Sequence, residues 1–582
     1  MSHGHGPTQE SQPLLRCTVL GEHIVRAVNG KSATGTPTTC ASSCADSEGD
    51  TERLLVSGGD DRTVLDLISG TNSYHCEPRP IGRGDVSRSS CTCNPPTAEG
   101  HAAARSLIED RFAAPLACED DASLAAEVAK VHEEHRAQLR LLLRLPEGTE
   151  LAFCPSGSDA EFVPLMIAAA LAPGRRVVNI LTQHRETGSG TGAAAAGRFF
   201  TQSTPLAGEN PARQKDLLIA GLSAGVTTRV VPARHRDGSP VDTAAAVAEL
   251  QQQADQAGDY VITHVVAEGK TGLQDAHMPE TRGAGTGSLA VVDACQVRCG
   301  VDDISRWLTG GAVVLITGSK FYQGPPFSGC VLVPSAVAGS LKAAASAGAV
   351  LPPTCLDHVE GLGAFFSSTE LPPCLCRLAP GLPSKPNLGL ALRWRAALAN
   401  MAPLLLRFPA DEVRESGVRA WEAAVVSTVH ELGRGVLEVW SARGGIVSIR
   451  VRRQAAGPAG GSDCEPAWLG VAELRRLFGW CACDATAMLP PIADAECAQL
   501  CSRRCFLGQP VDVADSFAVI RIALGAKDLE RWLSDDASPD NGGRGSAVLK
   551  EDRVCVQKLA LLAANFATAA AAEDAAVSRS SS

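Results

Sequence analysis

Short apolar runs alternate with helical segments along the middle of this chain, from about residue 100 to residue 335. The runs are rich in β-branched side chains, which is typical of strands. Several are apolar throughout, as burial on both faces of a sheet demands. Strands that alternate with helices pair in parallel through right-handed crossovers. We therefore predict an α/β fold in which helices flank a mostly parallel sheet, with strands at 151–154, 177–181, 227–231, 260–266, 289–293, 312–317 and 329–334.

Composition and length indicate how the rest of the chain is organised. Residues 1–50 are rich in Ser, Thr, Gly and Cys without a sustained period, which predicts a mobile leader. Residues 51–100 are predicted to form an N-terminal arm, and residues 101–385 the large domain. Residues 386–582 are predicted to form a smaller α+β C-terminal domain that ends in a helix. Its helices are expected at 387–408, 410–432 and 548–573, and its strands at 446–451 and 517–524.

The charge balance excludes some classes of partner. The 582 residues carry a formal net charge of −11, whereas a dedicated nucleic-acid binder normally presents a basic face. No stretch approaches the roughly 20 consecutive apolar residues of a membrane span. The polar N-terminus lacks the pattern of a signal peptide. We therefore expect a cytoplasmic protein that binds neither nucleic acid nor membrane.

The 21 cysteines are scattered and lack the C-x2-C spacing of zinc ribbons. Cys497, Cys501 and Cys505 recur every four residues, which predicts that they share one helix face. We interpret the cysteines as small buried residues of a cytosolic protein, and no metal site is predicted. Metal binding through these thiols is the less favoured alternative.

Two glycine-containing patterns imitate nucleotide-binding motifs without meeting their requirements. Residues 269–271 (GKT) end like a P-loop, but His264 stands where that motif needs its first glycine. The runs at 188–192 and 283–287 do not give G-x-G-x-x-G between a strand and a helix. A Rossmann dinucleotide site is therefore not predicted.

Three segments place chemically useful groups directly after predicted strands. The turn 155–161 (PSGSDAE) opens a helix, and its hydroxyls and backbone amides suit a phosphate, although Ser and Asp are also ordinary helix caps. Asp293 ends a strand at the edge where open α/β sheets bind ligands, and capping of the next helix is the alternative. Lys320 follows another strand, 27 residues after Asp293, in a turn rich in Gly and Pro.

Lysine is rare in this chain, with ten against 43 arginines, so the position of each one is informative. A lysine at the end of an apolar strand is a poor choice for solubility. A partly desolvated lysine with a depressed pKa can instead act as a Schiff-base nucleophile. Lys320 is therefore the candidate nucleophile.

Together these segments resemble the class V aminotransferase and cysteine desulfurase group of the fold type I enzymes, which use pyridoxal 5′-phosphate (PLP). That group shows a phosphate turn at a helix start, then D-A-x-Q, then S-x-H-K followed by Gly and Pro. The counterparts here are 155–161, 293–296 (DACQ) and 317–320 (TGSK). The resemblance covers roughly residues 100–535. It implies a homodimeric PLP enzyme whose substrate is a small amino acid.

The resemblance also implies a role for each matching residue. Lys320 would form the Schiff base with PLP and move the α-proton, and Asp293 would pair with the pyridine nitrogen. Gln296 would contact the phenolic oxygen or the nearby imine. Arg521 would grip the substrate carboxylate, with a surface arginine on an amphipathic strand as the alternative. The remaining assignments are Ser156, Gly157, Ser158, Thr317 and Ser319 to the phosphate, His184 to the face of the ring, and Thr271 to a substrate-side anchor.

The chain also departs from the group's pattern. Ser319 stands where the group usually has His, and no asparagine precedes Thr271-Gly272. A desulfurase needs a mobile cysteine well after the lysine, and Cys464 precedes a predicted helix at 471–477, which is a poor position. Transamination is therefore preferred over desulfuration, although elimination and decarboxylation begin with the same steps and stay open.

Two further alternatives concern the arm and the activity itself. Arg62, Asn72 and Tyr74 are expected to border the substrate channel, whereas packing of the arm on a partner subunit is an equal alternative. A PLP-fold scaffold without turnover is the alternative to an enzyme. Retention of Lys320 and Asp293 argues against such a scaffold.

Overall fold

The computed structural model describes most of the chain from residue 47 onward. The predicted leader before residue 47, Cys464 and the side chain of His184 lie outside this described part. The described residues are 47–210, 217–219, 221–222, 225–275, 287–433, 435–453, 468–489, 495–514, 517–535 and 545–580.

Strands of the described residues are numbered here in chain order. They are β1 (Val86–Arg88), β2 (Glu150–Cys154), β3 (Val177–Thr182), β4 (Ser203–Thr204), β5 (Gly208–Glu209), β6 (Val226–Val231), β7 (Tyr260–Val266), β8 (Ser288–Asp293), β9 (Val313–Thr317), β10 (Gly329–Val333), β11 (Leu437–Arg443), β12 (Ile446–Val451), β13 (Cys505–Ala514) and β14 (Phe517–Ala523).

The α-helices are numbered in the same way. They are α1 (Ser47–Val56), α2 (Ala98–Leu107), α3 (Ala113–Ala117), α4 (Asp121–Leu142), α5 (Phe162–Leu171), α6 (Thr191–Ala195), α7 (Ala244–Gln256), α8 (Val301–Thr309), α9 (Ser335–Ser346), α10 (Pro373–Cys376), α11 (Leu388–Arg407), α12 (Asp411–Leu432), α13 (Val471–Ala482), α14 (Ala495–Ser502), α15 (Ala526–Ser534), α16 (Ser546–Ala564) and α17 (Phe566–Ser580).

The larger sheet has seven strands in the order β2-β10-β9-β8-β7-β3-β6. Every neighbouring pair is parallel except the two pairs that β10 makes with β2 and β9. Helices connect most of the parallel strands, as parallel pairing requires. The predicted α/β fold with a mostly parallel sheet flanked by helices is therefore confirmed.

Both faces of the central strands are buried, which explains why the sequence runs are uniformly apolar. Val291 and Val313 belong to the hydrophobic cluster that contains the side chains of α5. Val292 and Val314 belong to a second cluster, which contains Trp394 of α11. Successive side chains of a strand point to opposite faces, so each strand contributes to both clusters.

The smaller sheet has the order β1-β13-β14-β12-β11 and combines the arm with the C-terminal region. β1 pairs in parallel with β13, so that Val86 lies opposite Cys505. The sequence analysis predicted β12 and β14 but missed the other three strands. β1 has only three residues, β11 is mostly half-buried, and Gly508 and Pro510 interrupt the apolar pattern of β13. Pairing with distant partners therefore decides these strands, rather than local pattern.

Two local predictions in the C-terminal region were wrong. Cys497 and Cys501 lie on α14, but Cys505 begins β13, so the three do not share a helix face. The predicted terminal helix is two helices, α16 and α17, which meet at a bend of 79°. No single helix among the described residues is long and apolar enough to cross a membrane, although this bent pair passes that test by length and composition.

Candidate active site

The carboxyl ends of β2, β8 and β9 meet at one edge of the seven-stranded sheet. Cys154 and Thr317 end β2 and β9, and both pair with Gly329 of the antiparallel β10 between them. Asp293 ends β8, which pairs in parallel with β9. The three segments singled out in the sequence follow these strand ends directly. The structure therefore brings them together at the edge where ligands of such sheets bind.

The turn after β2 packs tightly against the other strand ends at Gly157. A Cβ atom on Gly157 would lie 2.9 Å from Sγ of Cys295 and 3.1 Å from Cγ2 of Thr317. A Cβ atom on Gly329 would lie 2.4 Å from the carbonyl oxygen of Ser156. Side chains at either position would push the turn off the sheet edge. These glycines therefore permit the close approach.

The Ser156 hydroxyl is engaged in a cap-like turn just before the 3₁₀ turn Asp159–Glu161, which is close to the capping role that the sequence offered as an alternative. Its hydroxyl accepts hydrogen bonds from the amides of Ser158 (3.1 Å) and Asp159 (3.3 Å). It also donates to the Asp159 carboxylate at 2.6 Å. Within the described residues, the amide of Gly157 and the hydroxyl of Ser158 make no hydrogen bond, so these two groups are the ones left for a phosphate.

The other predicted cofactor contacts divide into engaged and available groups. The Thr317 hydroxyl donates to the Cys295 carbonyl at 2.6 Å and is engaged. The Ser319 hydroxyl is buried and has no partner among the described residues. Gln296 donates its amide NH₂ to the Cys91 carbonyl at 3.1 Å, whereas its side-chain oxygen is buried and unpartnered there. Ser319 and Gln296 are therefore available to a ligand.

Asp293 belongs to a buried group of three side chains, which we call the acidic array: Glu161, His264 and Asp293. One ligand atom from each lies within 4.8 Å of those of the other two. Nε2 of His264 lies 2.9 Å from Oε1 of Glu161. Burial raises the pKa of Glu161. Burial alone would lower the pKa of His264, but Glu161 and its hydrogen bond outweigh that effect and raise it. Both shifts favour a proton held between these two side chains.

The sequence analysis did not assign a role to Glu161 or His264. Glu161 ends a single 3₁₀ turn, Asp159–Glu161, that leads into α5, and His264 lies on β7. A signal was present, because His264 is an ionisable residue inside the otherwise apolar run YVITHVV. Such a residue in a fully buried strand needs a polar partner.

Lys320 is half-buried beyond the end of β9, and its backbone is fixed by the arm. The side-chain amide of Asn94 donates to the carbonyls of Ser319 (2.9 Å) and Lys320 (3.1 Å). Among the described residues, no carboxylate lies within ion-pair distance of the Lys320 ammonium group. The sequence analysis missed Asn94, because its contact joins residues 226 positions apart.

Three cations lie close together near Lys320, and we call them the basic end: Lys270, Arg298 and Arg521. Arg521 is 1% exposed and donates to the carbonyl oxygens of Gln509 (3.0 Å) and Lys270 (2.7 Å) and to the Thr92 hydroxyl (2.9 Å). The structure thus places the predicted carboxylate-binding arginine inside the molecule rather than on its surface.

Arg298 of the basic end also contacts neutral acceptors. Arg298 donates to the Leu524 carbonyl at 2.9 Å and to the Ser90 hydroxyl at 2.7 Å. Burial lowers the pKa of Arg298 to about 10. Burial also raises the pKa of the adjacent Glu268 to about 8, so this carboxyl is mostly neutral near pH 7. The basic end therefore keeps a net positive charge.

Thr271 is held by its neighbours rather than left free. Its amide and its hydroxyl both contact the Glu186 carboxylate at 2.9 Å, and Arg234 donates to the hydroxyl at 2.8 Å. Arg234 in turn pairs with Glu186 at 2.8 Å. The side chain predicted as a substrate-side anchor therefore fixes the turn after β7.

Two of the three arm residues contact the turn region. Arg62 forms an ion pair with Asp60 and donates to the Ser156 hydroxyl at 3.0 Å, and it lies over the Phe327 ring. Tyr74 packs edge-on against the same ring, with the ring centroids 5.9 Å apart. Asn72 instead holds the arm together, because its oxygen accepts from the amides of Tyr74 and Cys76.

Asp159 links the arm to the turn electrostatically. Burial, with the carboxylate of Asp60 nearby, raises the pKa of Asp159 to about 7.

His184 begins a short 3₁₀ helix, His184–Glu186, after β3, as its predicted position requires. Its side chain lies outside the described part of the chain, so its contact with a ring stays a prediction.

The available groups at this edge fit PLP. A buried carboxylate at a strand end suits a protonated pyridine nitrogen, and the lysine beyond the next strand has no ion-pair partner in the described part of the chain. The unpartnered Ser319 hydroxyl, the Gly157 amide and the Ser158 hydroxyl form a donor set for a phosphate. Ser156 and Thr317, also predicted for the phosphate, are satisfied within the protein.

No protein-family model and no curated protein matches the chain. Similar solved structures include the cysteine desulfurase CsdA from Escherichia coli, at 11% identity and a TM-score of 0.45 over 83% of this chain and 96% of that one. A glutamate decarboxylase domain from Vibrio parahaemolyticus has 12% identity and a TM-score of 0.47, over 96% of this chain and 92% of that one. The structure of Oryza sativa TDC with PLP has 15% identity and a TM-score of 0.43, over 93% of this chain and 92% of that one. All three TM-scores are below 0.5 and all three identities are below 25%, so this likeness carries no argument about family or chemistry.

Proposed function

We propose that this chain is a PLP-dependent enzyme of the transferase or lyase type that acts on a small amino acid. The observation that carries the proposal is the meeting of three groups at one sheet edge: the tightly packed turn at Gly157, the buried Asp293, and Lys320, which no carboxylate of the described residues pairs with. They come from three separate segments of the chain. A merely structural role for each would not require them to converge.

Each residue has a defined task in this proposal. Lys320 would hold the cofactor covalently and would carry the proton that leaves and returns to the α-carbon of the substrate. Asp293 would keep a proton on the pyridine nitrogen, and Arg521 would orient the substrate carboxylate. PLP, when bound, would supply the electron sink for the pair left on the α-carbon.

Within this class we propose an aminotransferase of the class V type. The TGSK segment, the DACQ segment and the arginine on β14 support it, because they follow the order of that group's pattern, with Thr317 and Ser319 in place of its usual Ser and His. Product analysis separates the branches. Release of a keto acid in an amount equal to the enzyme, without an added acceptor, indicates transamination. Alanine from cysteine, with sulfide released by an added thiol reductant, indicates desulfuration, and carbon dioxide indicates decarboxylation.

The proposal is tested by cofactor uptake. Purified protein should bind PLP with an absorbance band that borohydride bleaches, and Lys320→Ala should abolish the band. Lys342→Ala is the matched control, because Lys342 only forms a surface ion pair with Glu150. A wild-type protein that takes up no PLP would show that the proposal is wrong. Bound PLP without turnover of any amino acid would support the scaffold alternative.

We also propose a homodimer in the cytoplasm. The arm exposes an apolar run beside the Arg62 contact, with Leu67 77% and Ile68 97% exposed, which supports contact with a second subunit. Light scattering should give twice the chain mass of 60.4 kDa, and the double variant Leu67→Glu, Ile68→Glu should shift it toward the monomer. Cell fractionation tests the location.

A further inference from the structure

The turn after β7 holds Lys270 in a fixed position at the basic end. The Lys270 amide donates to the Glu186 carbonyl at 2.7 Å, and its own carbonyl accepts from Arg521 at 2.7 Å. Gly272, with φ of +74°, passes so close to the carbonyl of Arg443 that a Cβ atom would lie 2.3 Å from it. The backbone on both sides of Lys270 is therefore anchored.

The Lys270 ammonium group lies among cations rather than carboxylates. Its one polar contact among the described residues is the Arg185 carbonyl at 3.5 Å, directly after His184. Burial, with the nearby charges of Arg521 and Lys320, lowers the pKa of Lys270 to about 8, and Glu186 opposes this only in part. Glu186 already pairs with Arg234, so it does not neutralise Lys270.

The basic end therefore has more positive charge than one carboxylate can neutralise. Arg521 and Lys270 are adjacent, and within the described residues neither has a carboxylate at ion-pair distance. Other residues would bind the cofactor itself: the turn at Gly157 and Ser319 would bind its phosphate, and Asp293 would bind its ring. A partly buried cation without a partner is costly, and a bound anion removes that cost. Two adjacent cations suit a ligand with two acidic groups.

We propose that Lys270 and Arg521 form a subsite for an amino acid with an acidic side chain. Arg521 takes the α-carboxylate through its charge and through the one guanidinium N–H that its bonds to Gln509, Lys270 and Thr92 leave over. Lys270 takes the second acidic group, because a flexible ammonium tolerates different positions of that group. This assignment rests on the proposed function for the α-amino group, but the charge pairing itself does not require PLP.

The experiment uses acids that lack an amino group and so cannot react. Two matched pairs are used. The dicarboxylate succinate is compared with the monocarboxylate butyrate, both with four carbons, and glutarate is compared with pentanoate, both with five. Calorimetric titration of the PLP-loaded protein should show at least about tenfold tighter binding of the dicarboxylate in each pair. Lys270→Met should remove most of this preference while changing monocarboxylate affinity by less than about threefold. Lys270→Arg should keep the preference.

Controls separate the possible failures. Lys342→Met removes one surface positive charge and should leave both affinities unchanged; thermal unfolding checks that each variant is folded. An equal loss for mono- and dicarboxylates in Lys270→Met would overturn the proposal, and so would no loss. If the wild-type chain takes up no PLP, the proposed function fails, whereas the same titration of the purified chain still decides the subsite.

Discussion

The acidic array and the basic end handle buried charge in different ways. In the acidic array, Glu161 and His264 are hydrogen-bonded at 2.9 Å, so a negative and a positive group compensate each other inside the protein. In the basic end, Arg521 and Lys270 contact carbonyl and hydroxyl oxygens, which carry no formal charge. The charges of the acidic array, except that of Asp293, are therefore neutralised within the protein, whereas those of the basic end are not.

This difference indicates different uses. A charge that must stay fixed through every turnover is best held in place by groups that the protein itself supplies, and the Cys295 amide holds the Asp293 carboxylate at 2.9 Å. A site that takes up and releases an anion is instead left with unpaired cations, because their partner arrives with the ligand. The comparison therefore assigns the permanent contact to the acidic array and the exchanging contact to the basic end.

The largest expected effect is loss of the permanent charge. Asp293→Asn keeps the size of the side chain but removes its negative charge, so in the proposed role the pyridine nitrogen of PLP would lose the partner that holds its proton. We expect the turnover rate at saturating substrate to fall about a hundredfold to a thousandfold. Asp302→Asn, at an exposed site on α8, is the control and should leave the rate within about twofold. Wild-type turnover in Asp293→Asn would show that this carboxylate serves only as a cap.

The second-largest effect is expected on substrate binding at Arg521 of the basic end. Arg521→Lys keeps the charge but loses the guanidinium bonds to Gln509, Lys270 and Thr92 that position it, so a substrate carboxylate would be held less firmly. We expect KM to rise about tenfold to a hundredfold with a smaller change in kcat. Arg521 also bonds to Lys270 and Thr92, so thermal unfolding must accompany the kinetics. A fall in kcat with unchanged KM would place Arg521 outside substrate binding.

Local sequence pattern predicted one half of this site better than the other. Asp293 and Lys320 each follow an apolar strand, so their strand-end positions could be predicted from neighbouring residues alone. The pair of Glu161 and His264 joins residues 103 positions apart, and β1 pairs with β13 across more than 400 positions. Such contacts depend on the order of strands in the sheet, which a single sequence does not encode locally.

The hydrophobic pattern had a similar limit in the arm. Arg62 and Tyr74 were predicted near the site only by resemblance, and their contacts with Ser156 and Phe327 arise because the arm folds back over the sheet edge. Ser156 shows the opposite case. Its local pattern was compatible with a phosphate contact and with a helix cap, and only the hydrogen bonds of the folded chain distinguish the two.

A smaller effect is expected on stability within the acidic array. Glu161→Gln removes the charge that raises the pKa of His264, so the charge-assisted hydrogen bond becomes a neutral one. We expect the free energy of unfolding to fall by about 1–3 kcal/mol in denaturant titrations near pH 7. Glu134→Gln, which disrupts an exposed pair with Arg111, should cost less than about 1 kcal/mol. Equal losses in the two variants would contradict internal compensation.

The smallest expected effect is the pH dependence of the basic end. With a pKa of about 8, the Lys270 ammonium group is mostly charged at pH 7 and mostly neutral at pH 9, with Arg521 and Lys320 as its neighbouring cations and Glu186 as its neighbouring anion. Succinate affinity should therefore fall by up to about tenfold between these pH values, and Lys270→Arg should remove this fall, because arginine stays charged.

The stability contribution of Lys270 should move in the opposite direction, which separates titration of this side chain from general alkaline damage. Its pKa in the folded chain, about 8, lies below its ordinary value of 10.5, so the unfolded chain binds more protons between these values. The free energy of unfolding of the wild type should therefore rise relative to that of Lys270→Met as the pH increases from 8 to 10.5. A parallel fall in affinity and in relative stability would mean that another group causes the pH dependence.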